Sequence, residues 1–341
     1  MKALLIAPNV GGFYQDIIDE LQRRGFETDY IWDAFDKDDP DFIHSPYFGD
    51  NKEQKDRVLS KYKLYWADLL NRSEYNKKYD LLFVIDGKML HPYLFDVLRQ
   101  RNPSIKSINY LYDTTRGNYR FNVNSSYFDK VVTYDRKDSE DYEWGFMPIP
   151  WCKMEPSEKR SYVFFGMGNF IPSRFILYKL VNRIATEHNL ESFIKLFVRR
   201  IKLYPIKYFV NFFLQQKQYV KPSIYYSRFI VHDFIPKDVF QQAMMESEVI
   251  VDSIDPRQDG LTARCTWALG AGKKIITNNQ SIKMYDFYSP EQIFVVENAS
   301  YSKEIADNIL SFAKSTYVMP VEIRQKIDSF RIDNWMSQIL L

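Results

Sequence analysis

Cysteine is nearly absent from this 341-residue chain, which holds only Cys152 and Cys265. With no paired spacing, the two exclude a disulfide framework and a cysteine-built zinc site, and they point to a reducing cytoplasm. No apolar run approaches the roughly 20 residues that a membrane-crossing helix needs. The opening MKALLIAPNV has one lysine and a short apolar stretch that ends at Pro8 and Gly11-Gly12, so it reads as a first strand and not as a signal peptide. Neither sign of charge dominates: 46 Lys and Arg against 44 Asp and Glu leave a formal +2. The basic excess usual in nucleic-acid-binding domains is therefore missing, and no nucleic-acid partner is expected.

Aromatics are what the chain has in quantity, 25 Tyr and 26 Phe among them. They serve a core, or any site that must touch a sugar, a base or a membrane interface. With 45% hydrophobic and 26% charged residues the composition is that of a globular protein. The length is comfortable for two domains.

Strand patterns recur along the chain with helical patterns between them. Lys2 to Val10 is a strand, Gly11-Gly12 a turn, and Phe13 to Arg24 an amphipathic helix with Ile17, Ile18 and Leu21 on one side. Thr28 to Trp32, Leu81 to Ile85, Lys106 to Tyr112 and Lys130 to Thr133 follow as strands, with helices over Lys52 to Leu70 and Pro92 to Gln100. The last three strands run out into Asp86, Asp113 and Asp135. Open α/β sheets place their chemistry at that edge.

Prolines 148, 150 and 156 break the pattern, and Met147 to Lys159 reads as a linker. Tyr162 to Phe165 then restarts it as a strand, with Gly166-Met167-Gly168 as a glycine turn and Pro172 to Ala185 as a helix carrying Arg174 in its first turn. Further strands are expected at Phe229 to Val231, Val249 to Val251, Lys274 to Thr277 and Ile293 to Val296. The economical architecture is α/β, with two Rossmann-like domains facing a cleft. Its boundaries are 1–150 for the N-terminal domain, 151–320 for the C-terminal domain, and 321–341 for a terminal amphipathic helix free to return to the N-terminal domain.

The most informative stretch is Val251 to Asn279. It joins two strands through a segment long enough for a loop and a helix, so a parallel crossover is expected. The Gly260-Leu261-Thr262 turn then lies at a strand's carboxyl end and a helix's start, where free N–H groups and the helix dipole favour a phosphate. Thr262 and Arg264 add a hydroxyl and a cation, unless Arg264 only pairs with Asp259. Arg174 could reach the same diphosphate from the Gly166-Met167-Gly168 exit. His232 could contact the base or sugar of a nucleotide-linked ligand, or simply bond to Asp233. Between Glu191 and Asp233 no acidic residue occurs, while Lys195, Arg199, Arg200, Lys202, Lys207, Lys217, Lys221 and Arg228 interleave with Phe193, Phe197, Tyr204, Tyr208, Phe209, Phe212 and Phe213. That is the pattern of an interfacial helix on an anionic membrane, and equally of a helical pair with a solvated basic face.

The run Gln258-Asp259-Gly260-Leu261-Thr262-Ala263-Arg264, continued by Ala268 to Asn279, resembles bacterial glycosyltransferases of lipopolysaccharide core, O-antigen and capsule synthesis. Tyr112 to Arg116 and Phe128 to Asp135 in the first half are similar too. The resemblance implies the GT-B fold, a nucleotide-sugar donor on the C-terminal domain and a saccharide or lipid-linked acceptor on the N-terminal one. The nucleotide-sugar is then a co-substrate, and no cofactor is implied. Gly166, Arg174, His232, Gln258, Asp259, Gly260, Leu261, Thr262 and Arg264 become the candidate donor contacts. Relatives often carry a glutamate to grip the donor ribose where this chain has Trp267, which cannot accept that hydrogen bond.

Transfer by inversion needs a base for the acceptor hydroxyl. Asp113, with Arg116 close by, is the first candidate, and Asp135 and Asp86 are the alternatives. Asp252, Asp255 and Asp259 are too scattered for a metal-binding Asp-x-Asp arrangement, so metal-independent transfer is expected, with Arg174, Arg264 and helix N-termini stabilising charge. The expected location is the cytoplasm, peripheral at the inner face of the membrane. A non-catalytic nucleotide- or saccharide-binding protein and a two-Rossmann sugar epimerase are the rival readings.

Overall fold

The computed structural model describes residues 1–9, 12–33, 52–117, 120–155, 157–200, 204, 206, 208 and 220–341, the side chains of 52–55 and 120 excepted. Two compact units divide the chain. The first comprises Met1–Cys152, Arg257–Ala263 and Ile327–Leu341, and the second Lys153–Pro256 and Arg264–Lys326.

In the first unit the elements run β1 (Lys2–Ala7), α1 (Phe13–Arg23), β2 (Glu27–Trp32), α2 (Lys52–Asn71), β3 (Leu81–Ile85), α3 (Pro92–Arg101), β4 (Lys106–Leu111), α4 (Arg120–Ser125), β5 (Lys130–Thr133), α5 (Arg136–Tyr142) and β6 (Gly145–Phe146). The strands form one parallel sheet in the order β2-β1-β3-β4-β5-β6. Central strands of such a sheet are covered on both faces, which is why Leu81–Ile85 is apolar without alternation and buried throughout. Leu82, Val84, Trp66, Leu94, Phe95 and Leu98 make the core on one side.

In the second unit the elements are β7 (Tyr162–Asn169), α6 (Pro172–Glu187), β8 (Ser192–Phe197), α7 (Pro222–Tyr225), β9 (Ile230–Val231), α8 (Lys237–Met245), β10 (Ser247–Asp252), α9 (Ala263–Gly270), β11 (Lys274–Thr277), β12 (Ile293–Val295) and α10 (Lys303–Lys314). Its parallel sheet has the order β12-β11-β10-β7-β8-β9. Phe164, Leu177, Val181, Val249, Val251 and Ile309 lie at the centre of its core. The fold is thus α/β with two doubly wound sheets.

Three expectations are corrected. Gly166-Met167-Gly168 is not a turn: β7 continues through it to Asn169, paired with β8 residue by residue. The ring of Tyr178 lies where a Gly166 side chain would begin, 2.9 Å from a Cβ built there, so the glycine serves helix-on-strand packing. The segment after Glu191 is not helical at its start: Ser192–Phe197 is β8, with Phe193 stacked on Phe165. Lys202, Lys207, Phe209, Phe212, Phe213 and Lys217 lie outside the described residues. The terminal helix is two helices, α11 (Val321–Asp328) and α12 (Ile332–Leu340). Between them Phe330 buries itself and Arg331 turns extended to bridge Trp151. The apolar spacing of α12 is helical: Ile332, Trp335, Met336 and Ile339 are all buried. Trp335 packs on Tyr110 and Phe83 in the first unit and donates to the carbonyl of Pro148 at 3.1 Å.

Candidate functional site

In each sheet the strand order reverses direction at one point, between β1 and β3 in the first unit and between β7 and β10 in the second. Carboxyl ends of strands beside such a point are where open α/β sheets bind ligands.

At that edge of the second sheet stand two arginines, Arg174 buried and Arg264 largely so. Arg174 projects from the first turn of α6, donating to the carbonyls of Asn169 at 2.5 Å and Ser253 at 3.0 Å. Arg264 projects from the first turn of α9 and pairs with Asp252 at 2.9 Å. Both reach the same spot over β7. A Cβ built on Gly168 would lie 2.9 Å from Nη1 of Arg264 and 3.0 Å from Nη1 of Arg174. Glycine is needed at 168 for this close approach. The Nε atoms of both guanidinium groups and the hydroxyl of Ser253 are buried with no hydrogen-bond partner among the described residues. Burial and then the charge of Arg264 pull the Arg174 guanidinium down to about 10. Two like charges in a partly desolvated place are costly to hold together unless an anion compensates them.

The first sheet's edge holds a different cluster. Asp33, Asp86 and Asp113 follow β2, β3 and β4, and Lys88 sits among them. Lys88 Nζ is 2.9 Å from Asp113 and 3.6 Å from Asp86. Asp86 accepts from the backbone N–H groups of Tyr112 at 2.7 Å and Asp113 at 3.1 Å. Asp33 accepts from Lys88 N at 2.8 Å and Met89 N at 3.3 Å. The turn between is held from further sides, Asn124 donating to the carbonyl of Gly87 and Trp66 to that of Met89. Asp86 itself is left-handed, at φ 62°, a conformation that short polar side chains tolerate best. Burial raises both buried carboxyls, Asp86 to about 7. Asp113 is the exposed member, with 44% of its side chain open to solvent.

Arg116, expected beside Asp113, is engaged elsewhere. It makes a bidentate pair with Asp135 at 2.6 and 2.7 Å, reaches Asp138 at 3.0 Å and donates to the carbonyl of Arg257 at 2.8 Å. Asp135 is fully buried and caps α5 by accepting from Asp138 N. The segment Arg257–Ala263 belongs to this unit. Asp259 accepts from Arg136 N at 3.0 Å and Lys137 N at 3.2 Å, and its own N–H donates to Asp135 at 3.0 Å. Burial first, and Asp135 next, push Asp259 up to about 6. Burial opposes ionisation of Asp135, yet the hydrogen bonds from Asp259 and Arg116 outweigh it and hold that carboxyl below its ordinary value. Gly260 lies so close to Tyr134 that an added Cβ would overlap the Tyr134 ring and carbonyl. Asp259 therefore partners α5, while Arg264 takes Asp252. Leu261 is wholly buried, and Gln258 and Thr262 are half-buried.

His232 lies apart from Asp233: its Nδ1 is 2.8 Å from the carbonyl of Val198 and its ring stacks on Tyr225, while Asp233 pairs with Arg200. Trp267 is buried edge-on against Phe240, so it is part of the packing of α9. Sequence reasoning passed over Lys88, Asp33 and Asp138. For Lys88 a signal existed, a lysine in the Asp86-Gly87-Lys88 exit of an apolar strand; Asp138 is legible only once α5 is placed.

No protein-family model matches the chain, and no curated protein matches it. Solved structures do. The apo form of a lipopolysaccharide outer core galactosyltransferase, WaaB, matches with a TM-score of 0.52 at 13% identity, over 99% of this chain and 97% of that one. A UDP-GlcNAc 2-epimerase from Neisseria meningitidis bound to UDP-GlcNAc matches at 0.52 and 10%, over 100% and 98%. The catalytic domain of starch synthase IV from Arabidopsis thaliana, bound to ADP and acarbose, matches at 0.51 and 10%, over 100% and 97%. At such identities the likeness is one of fold: the chain has the two-Rossmann, GT-B-like architecture.

Proposed function

We propose that this chain is a glycosyltransferase that moves a sugar from a nucleotide-sugar donor to a saccharide or lipid-linked acceptor in cell-surface glycan synthesis. The observation that carries the reading is the pair Arg174 and Arg264, two guanidinium groups largely shielded from solvent over the bare backbone of Gly168, with one carboxylate, Asp252, 2.9 Å from Arg264. A diphosphate is the ligand such a pair suits, because charge-assisted bonds to its oxygens would offset the desolvation and mutual repulsion of the two cations. Donor contacts are assigned to Arg174, Arg264, Gly260 and Thr262, and the C-terminal half is the donor domain.

The acceptor falls to the N-terminal half, with Asp113 as base for transfer with inversion. Its carboxylate takes the hydroxyl proton as the acceptor oxygen bonds to the anomeric carbon. The bond from that carbon to the diphosphate breaks, and the diphosphate leaves with the electron pair. Arg174 and Arg264 stabilise the charge that develops on it, and the transfer is proposed to be metal-independent. A peripheral site at the inner membrane face is also proposed. Its support is a stretch from Ser192 to His232 without Asp or Glu, the exposure of Tyr226 (63%) within it, and that of Phe234 (72%) just beyond it.

Isothermal titration of the pure protein with the common nucleoside diphosphates and their sugars tests the donor assignment. Binding supports it, and its absence across the panel removes it. Conversion of a bound donor sugar with no acceptor present would instead identify an epimerase.

A further inference from the structure

Arg116, Asp135, Asp138 and Asp259 form a single hydrogen-bonded group within the first unit, and none of them is the base proposed above. Three separate features bind the segment Arg257–Ala263 into that unit. The Asp259 carboxylate occupies the N-terminus of α5 through Arg136 N and Lys137 N. The Asp259 N–H and the Arg257 carbonyl are bound by Asp135 and Arg116, which also bind each other. Gly260 lies flat on Tyr134, where any side chain would collide with ring and backbone. Asp138 completes the arrangement by binding Arg116 and both the N–H and hydroxyl of Thr115.

Two buried carboxylates converging on one arginine would be an expensive way to close a surface loop. Together with a glycine that only close approach requires, they describe a seat built for this segment and no other. We propose that Arg116 and Asp135, through Asp259, are positioning residues that hold the Gly260-Leu261-Thr262 segment in its donor-contacting conformation. This rests on the donor reading given above for Gly260 and Thr262. Arg116 and Asp135, two of the residues that sequence reasoning placed in catalysis beside Asp113, thereby acquire another role: they touch the loop, and the loop is proposed to touch the donor.

Hydrogen exchange of the full-length protein, read over residues 257–263, tests the seat directly. Asp259→Ala lies on the loop and leaves the Arg116–Asp135 pair in place, so it is the primary variant; Asp135→Asn and Gly260→Ala approach the seat from its two other sides. The expected result is exchange faster by at least about tenfold across 257–263, the loss of one or more charge-assisted bonds, with amides of β1, β3 and β4 unchanged. Arg116→Lys, which keeps one charge but loses the fork, should fall between wild type and Arg116→Ala. Asp259→Ala, which leaves Arg116, Asp135 and Tyr134 untouched, should weaken binding of the nucleoside diphosphate selected by wild type by a comparable factor while exchange in β1, β3 and β4 stays as in wild type, a separation that a merely structural role would not give. Unchanged exchange in both Asp259→Ala and Gly260→Ala overturns the proposal. Faster exchange with unaltered nucleotide affinity overturns the positioning role and leaves the donor reading standing. A wild type that binds no nucleotide removes the donor reading itself, while the exchange data still report on the seat.

Discussion

Lys88 and Asp113 form an ion pair at 2.9 Å in which the lysine comes from the exit of β3 and the aspartate from the exit of β4. The lysine's second neighbour, Asp86, is buried, as is Asp33, so of these three carboxylates Asp113 is the one open to solvent. Asp113→Asn should abolish glycosyl transfer and leave nucleoside diphosphate affinity within about twofold, since an isosteric amide cannot take the acceptor proton. Turnover assays and titration calorimetry on the same preparation check both halves. Retained transfer would remove Asp113 as the base.

Charge at the other sheet edge can be read in affinity. Arg174→Ala and Arg264→Ala should each weaken nucleoside diphosphate binding by about ten- to a hundredfold, the range for losing a hydrogen bond from a charged group. Gly168→Ala should act in the same direction without touching either arginine, because its methyl group would sit within 3.0 Å of both guanidinium groups. Calorimetry decides, and normal binding by Gly168→Ala would mean that the close approach over β7 is not part of the site.

The buried carboxyl of Asp86 makes stability depend on pH. Its folded value, raised to about 7 by burial, lies above the ordinary carboxyl value, so its contribution is complete in acid and is lost as pH rises through about 7. Lys88 works against this rise, whereas Asp113 and Asp33 add to it. The melting temperature should therefore fall as pH rises from about 4, the ordinary carboxyl value, to about 7, and Asp86→Asn, which also suits the left-handed backbone there, should flatten that fall. Thermal denaturation of both proteins across this range is the measurement. An identical slope in the variant would assign the effect to another group.

Trp335 is wholly buried against Tyr110 and Phe83, and its indole N–H is satisfied by Pro148. Trp335→Ala should cost about 3–5 kcal/mol, as large-to-small changes of buried aromatics do. Urea denaturation followed by circular dichroism would show it. A cost below about 1 kcal/mol would mean that α12 is an appendage and not a part of the first core.

Much of the architecture was legible because its causes are local. Continuous apolar runs such as Leu81–Ile85 and Val249–Val251 have only one environment in an α/β protein, the middle of a parallel sheet. What eluded the sequence has causes that lie far along the chain. Gly166 and Gly168 look like a turn until Tyr178, Arg174 and Arg264 are seen packed on them. Arg116 is near Asp113 in sequence, but a fork of five donors is better matched by Asp135 and Asp138, 19 and 22 residues away, than by a carboxylate already held by Lys88. Phe193 and Phe197 read as a membrane-facing stripe because strand and helix spacings cannot be told apart in so short an aromatic stretch. For the candidate site, Asp113, Arg174 and Arg264 were visible as charged residues next to strand ends. Asp259 was visible too, though its partner α5 was not.

The first unit draws its chain from three places, and the last of them ends at α12. During synthesis its sheet strands leave the ribosome before the second unit, yet the tryptophan that closes one face of that sheet emerges only after it. Until then Phe83 and Tyr110 lack the partner that covers them, so the nascent N-terminal half must wait, partly uncapped, while the entire second unit is made. A ribosome stalled before Trp335 should therefore display a first core open to chaperones and proteases.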